Sequence, residues 1–196
     1  MKYISFGKQC SVANALKDNH IRTESYPWDW MYIGHFDDMI TMLETRNHVL
    51  FDRDNWIQSE DEPTKYINTK LINTSSRHFF DETMSNFDQV VEKLKHRTYR
   101  FFQLLSSSSH LILIRDEQWY KLDPNLYNKS LLRFKEIMKT FNSTWELRVI
   151  IDSCNTENTK KKLETIENIR FIYVHSNGET SWERNVVPWK YILFGF

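Results

Sequence analysis

Glycine is scarce in this chain, at 4 of 196 residues. A Gly-rich phosphate loop needs several glycines within a few positions, and many tight φ > 0 turns would need more, so the composition argues against both. Cysteine is scarcer still: Cys10 and Cys154 are the whole supply. Two thiols do not make a disulfide framework, and they fit a reducing compartment better than a secreted one. Excess charge is missing as well. Lys and Arg number 26, as do Asp and Glu, for a formal net charge of zero. That balance argues against a broad nucleic-acid or anionic-lipid surface, though it leaves room for a small basic pocket. No apolar run approaches the ~20 residues of a membrane span, and no basic-plus-apolar leader opens the chain. These absences predict a cytoplasmic protein, in the host cytoplasm if the source is viral. No pair of histidines or cysteines has metal-ligand spacing, so neither a metal nor another cofactor is expected.

Aromatic residues are plentiful: 15% of the chain, with 7 Trp and 13 Phe. They allow a large buried area per residue. Periodicity predicts a strand over 2–6, a helix over 11–18, an aromatic loop over 23–34 and a helix from 36 to about 47. An acidic, irregular stretch covers 51–66, and partial alternation over 66–80 reads as a hairpin or two short strands. Phe87, Val90, Val91, Leu94, Phe101, Phe102 and Leu105 then mark a long amphipathic helix, ended by four serines. Apolar strands follow over 110–117, 146–152 and 169–176, separated by helices around 131–141 and 158–166. The apolar tail, 189–196, reads as a last strand. This alternation predicts one α/β domain over 1–196, with a mixed or mostly parallel sheet flanked by helices.

In such sheets, ligands bind beyond the carboxyl ends of the strands. Cys10 lies there, three residues past Gly7 and at the start of a predicted helix. Unpaired N–H groups at a helix start favour a thiolate and can hold an oxyanion. The alternative is a small buried core residue. A cysteine nucleophile needs a base. Among seven histidines, His78 stands out in "SSRHFFDE", beside Phe79 and Phe80 and close to Asp81. An imidazole on an apolar wall with a carboxylate in reach suits a base and its orienter. Asp116, at the end of the 110–117 strand, is the other candidate orienter. Asp29, between Trp28 and Trp30, reads either as a loop anchor or as an orienting group. Arg22 and Arg115 can bind a carboxylate or phosphate, or serve as structural ion-pair partners.

The stretch "ISFGKQCSVANALKDNHIRTESYPWDW" resembles the opening of a papain-like cysteine peptidase family of bacteria and large DNA viruses. In that pattern a first strand leads through Gly to Cys, then a helix, then Arg, then Ser-x-Pro-Phe-Asp-Trp. Here those positions are Gly7, Cys10, Arg22, Ser25, Pro27, Trp28, Asp29 and Trp30, with Trp28 in place of Phe. "RHFFDE", "KHRTYRFFQLL" and "HLILIR" are similar to the family's downstream parts, with the spacing between His78 and Asp81 wider by about one residue. The resemblance implies thiol chemistry with Cys10 as nucleophile and His78 as base; Gly7, Arg22, Ser25, Asp29, Trp30 and Arg115 are the residues expected around the substrate. It also implies an α+β papain-like fold, with a Cys-bearing helix packed on an antiparallel sheet that carries the His.

The leading expectation is therefore a cysteine-dependent hydrolase acting on a peptide or protein, a peptidase or isopeptidase. Two others stand beside it. One is a nucleotide- or sugar-acting transferase or hydrolase at the sheet edge, using Arg22, Arg115 and Asp152. The other is a non-enzymatic, viral host-interaction protein whose aromatics anchor an interface. The sequence does not set the oligomeric state.

Overall fold

The computed structural model describes residues 1–117, 123–152, 163, 165–175, 184–185 and 187–195. In chain order the elements are β1 (Lys2–Ser5), α1 (Ser11–Asp18), β2 (Met31–Ile33), α2 (Phe36–Glu44), β3 (Trp56–Gln58), β4 (Tyr66–Asn68) and β5 (Thr74–Ser76). There follow α3 (Phe87–Leu105), β6 (His110–Glu117), α4 (Pro124–Met138), β7 (Thr144–Asp152), β8 (Ile169–Val174) and α5 (Trp189–Phe194).

The first sheet has the order β1-β6-β7-β8, and each neighbouring pair is parallel. Its two middle strands are buried along most of their length, as continuous apolar runs require when both faces are covered. The long helix α3 turns Val90, Val91, Leu94, Phe101, Phe102 and Leu105 inward, following the spacing that marks it in the sequence. At the start of α4 the Asp123 side chain accepts from the N–H groups of Asn125 (2.9 Å) and Leu126 (3.2 Å), with Pro124 in the first turn. That pairing satisfies two of the four orphan donors at the helix start.

The second sheet is antiparallel, in the order β2-β5-β4-β3. Strand β2 lies inside the stretch expected to be loop. Three residues are too few for periodicity to register, and pairing with β5 is what makes Met31–Ile33 a strand. The period of two sets the two faces of this sheet. Met31, Ile33, Tyr66, Asn68, Thr74 and Ser76 are buried. Tyr32, Ser75 and Ile67 sit side by side across three strands on the other face.

The two sheets share one hydrophobic cluster, in which Ile4, Phe6 and Leu113 join Met31, Ile33 and Tyr66. Polar stitches fix their relative position. Ile33 donates its N–H to the Lys8 carbonyl (3.0 Å), and Arg115 Nη2 donates to the Ile33 carbonyl (3.0 Å). Trp28 fills the joint, packing edge-on against Phe6 (5.3 Å between centroids) and Phe101 (4.6 Å).

The tail is a correction. Trp189–Phe194 forms a helix, not the expected last strand. Pro188 precedes its first turn, and Gly195 closes it in the left-handed region at φ 86°. Ile192 and Leu193 pack on Val12, Leu16 and Ile112, while Tyr191 and Phe194 remain exposed. That is one buried helical stripe, and its apolar run is too short for periodicity to separate from a strand. The expected helix over 158–166 lies almost wholly outside the described residues.

Candidate active site

The site begins where β1 ends. Gly7 and Lys8 both take positive φ, 74° and 68°. A Cβ on Gly7 would lie 2.8 Å from Ile33 Cδ1 and 2.9 Å from Met39 Cε and would have to take the left-handed backbone, so glycine is favoured there. Lys8 tolerates its left-handed backbone because its ammonium is tied down: Nζ donates to Glu117 Oε2 at 2.5 Å, fully buried. This double left-handed turn delivers Cys10 to the N-cap of α1, where its carbonyl accepts from Asn14 N (2.9 Å).

His78 reaches the same place from the other sheet. It follows β5 by two residues, and its N–H donates to Ser76 Oγ (3.3 Å). Cys10 and His78 line one cavity of about 430 Å³, together with Gln9, Trp30, Tyr32 and Arg77. The His78 ring meets Trp30 edge-on, 6.3 Å between centroids. Among the described residues no hydrogen bond joins the thiol to the imidazole.

Electrostatics hold the thiol protonated. Burial is the main cause, the Asp29 charge adds to it, and the Arg77 guanidinium opposes both; the net result pushes Cys10 up to about 11. This reverses the expectation that the helix start would leave a thiolate. Desolvation of a half-buried sulfur outweighs the partial charge of a two-turn helix.

A second cavity of about 370 Å³ shares Gln9, Tyr32, Ser75 and Arg77 with the first and extends over Lys65, Ile67 and Ile72. The two together form a groove across the outward face of the antiparallel sheet. Gln9, Tyr32, Ser75 and Arg77 were absent from the sequence reading. The alternation that puts Tyr32, Ser75 and Arg77 on one face becomes visible only once β2 and β5 are paired.

The match to known proteins now has a geometry to attach to. The family described as "Putative papain-like cysteine peptidase (DUF1796)" matches residues 1–155. The chain belongs to that family. The match spans all of the groove's lining residues. A relative in Acanthamoeba polyphaga mimivirus, "Uncharacterized protein R408", is 26% identical over 219 aligned positions, covering 97% of this chain and 96% of the viral one. No solved structure matches.

In this family member the remaining expected site residues divide into three groups. Trp30 lines the cavity directly. Arg22, Ser25 and Asp29 form a structural knot beside it. Arg22 Nη2 donates to Asp29 Oδ2 (2.7 Å) and Ser25 Oγ (2.8 Å), and Asp29 Oδ2 also accepts from Tyr26 N (2.9 Å). The Arg22 guanidinium lies over Trp30, 5.3 Å from the ring centroid, so the knot holds the cavity wall. The third group is not part of the cavity lining. Arg115 is fully buried, paired with Glu117 and bonded to the Phe6 and Ile33 carbonyls. It builds the turn before Cys10, and Gly7 belongs to the same turn.

Among the described residues neither Asp81 nor Asp116 shares a hydrogen bond with His78; both carboxylates are engaged elsewhere. The Asp81 carboxylate accepts from Ser85 N (2.8 Å), Ser85 Oγ (2.5 Å) and Thr83 N (3.2 Å), closing its own turn. Asp116 is fully buried and accepts from Ser11 Oγ (3.1 Å) and Arg184 Nε (3.2 Å). Arg184 also donates to Asp152 (2.8 Å). The strand ends of the parallel sheet are thus closed by ion pairs. Among the described residues no cluster of His, Cys, Asp and Glu can hold a metal, and no helix is long and apolar enough to cross a membrane. Cys154 lies outside the described residues.

Proposed function

We propose that this protein is a cysteine-dependent hydrolase of peptide or isopeptide bonds, with Cys10 as nucleophile and His78 as base. One observation carries this: two residues from different sheets, 68 positions apart, line the same cavity. The arrangement also follows the papain-like logic of a thiol at a helix start facing a histidine from an antiparallel sheet.

The chemistry starts from neutral partners. As Cys10 Sγ attacks the carbonyl carbon, its proton passes to the His78 imidazole, so S–C bond formation and proton transfer occur together. Negative charge gathers on the carbonyl oxygen, where first-turn N–H groups of α1 and the Gln9 amide can donate. When the intermediate collapses, the C–N bond breaks and His78 returns the proton to the amine. Water, giving a proton to His78, then attacks the thioester; the C–S bond breaks, His78 returns that proton to Cys10 Sγ, and the acid product leaves and ionises in solvent. Trp30 and Tyr32 keep bulk water from the thioester, and the groove over Ser75 and Ile67 accommodates an extended chain.

A sheet-edge nucleotide or sugar site draws no support from Arg115 and Asp152, since both are consumed in buried pairs. The test of the hydrolase reading is labelling by a peptidyl vinyl sulfone. Cys10 should react at least 10-fold faster with it than with iodoacetamide at pH 7, and His78→Ala should remove most of that advantage, in keeping with the 10²–10⁴-fold scale of base catalysis. Equal rates for the two reagents, or no effect of His78→Ala, would reject the pair.

A further inference from the structure

A smaller cavity, of about 150 Å³, has the Trp30 and His78 side chains in its walls, as the Cys10 cavity does. Its walls are Trp30, His78, Phe79, Leu94, Lys93 and Arg97. Because the two cavities have Trp30 and His78 in common, they are neighbours. The main groove continues in the other direction, over Ser75 and Ile67, so this small cavity branches off the chain path. Its size and position suit a side chain rather than a stretch of backbone.

Its charge is unbalanced. Nearby Arg22 is committed to Asp29 and Ser25, and Arg100 to the Ser25 carbonyl and Glu24. Lys93 and Arg97 have neither a hydrogen bond nor an ion pair among the described residues. They lie one turn apart on α3, so both cationic groups serve the same pocket. Arg97 is half-buried, and desolvation holds its pKa below the usual arginine value, against the pull of Asp29. A partly desolvated guanidinium with no hydrogen-bonded acceptor gains most from a charged one that meets it in a bidentate fashion. Apart from His78, the remaining walls are apolar and would pack on a methylene stem.

We propose that Lys93 and Arg97 form a specificity subsite for an acidic side chain of the substrate, next to the bond that Cys10 attacks. This rests on the hydrolase reading and adds the substrate class to it. A branch pocket with cations at one end and Phe79 and Leu94 along its side fits glutamate better than a compact anion.

Three peptidyl vinyl sulfones that differ in one residue test this: glutamate, glutamine and phosphoserine beside the reactive group. The reading is the ratio of labelling rates at Cys10 within each protein, so any general loss of folding or reactivity cancels. The glutamate probe should outpace the glutamine probe by 10-fold or more. In Arg97→Gln the ratio should fall to about twofold, and Arg97→Lys should keep part of it. A ratio near one in the unmodified chain overturns the subsite and leaves the hydrolase reading standing. A ratio that survives in the Lys93→Gln, Arg97→Gln double variant overturns the assignment to this pocket. A phosphoserine probe faster than the glutamate probe overturns the carboxylate assignment. Failure of Cys10 to react with any of the three overturns the hydrolase reading and the subsite with it.

Discussion

The protonation state of Cys10 makes a sharp kinetic prediction. With the thiol pushed up to about 11, only about 1 in 10⁴ molecules carries a thiolate at pH 7. An unperturbed thiol near 8.5 carries about 3% at the same pH, roughly 300-fold more. Part of that deficit is recovered because a more basic thiolate is more nucleophilic. At a Brønsted slope near 0.45, a shift of about 2.5 units returns roughly a factor of 13. The native chain, studied as Cys154→Ser so that Cys10 is its sole thiol, should react with iodoacetamide about 20-fold more slowly than the same chain in denaturant. Its rate should climb about tenfold per pH unit from pH 6 to pH 9, with no plateau. The neighbouring charges set the direction of two variants. Asp29→Asn removes the anion that raises the thiol and should speed native alkylation; Arg77→Gln removes the opposing cation and should slow it. A change of about one pKa unit corresponds to about threefold in rate at pH 7 once nucleophilicity is included. A native chain that alkylates faster than the denatured one, or a plateau below pH 8, would mean a preformed thiolate–imidazolium pair. The concerted proton transfer derived above would then be wrong.

Three further outcomes follow from the scaffold. Glu117→Gln leaves Lys8 and Arg115 without their shared, fully buried carboxylate and should destabilise the fold by about 3–5 kcal/mol, read as a lower midpoint in urea. Gly7→Ala combines a left-handed backbone with a Cβ 2.8 Å from Ile33 Cδ1; it should cost about 2–4 kcal/mol in the same assay, whereas Gly195→Ala, with open space around it, should cost less. The third concerns pH. Burial raises Asp116 to about 6 despite its Arg184 partner, so the folded chain keeps a proton that the unfolded chain loses near 4. Its contribution to stability is complete below pH 4 and is lost as pH rises to 6; Asp116→Asn should remove that component from a plot of urea midpoint against pH.

The sequence by itself determined the elements whose signal is local. The run of Val90, Leu94, Phe101 and Leu105 specifies α3 wherever it sits, because a period of 3.6 is a property of one segment. The apolar strands β6 and β7 declare a sheet covered on both faces for the same reason. Gly7 and Cys10 were legible because a strand-to-helix turn has its own chemistry, and His78 because few histidines lie against an apolar wall. What required three dimensions was every relation between segments. Pairing made Met31–Ile33 a strand and thereby put Tyr32, Ser75 and Arg77 on one face. Packing against α1 and the parallel sheet made the tail a helix. Charge pairing drew Asp116 and Arg115 into the framework, since a buried charge must be matched by whichever partner the fold brings within reach, while Asp81 closes its own turn with Ser85 and Thr83. Even the state of the Cys10 thiol was decided there. A helix start favours an anion in water, but how much solvent the sulfur loses, and how near Asp29 comes, depend on residues far along the chain.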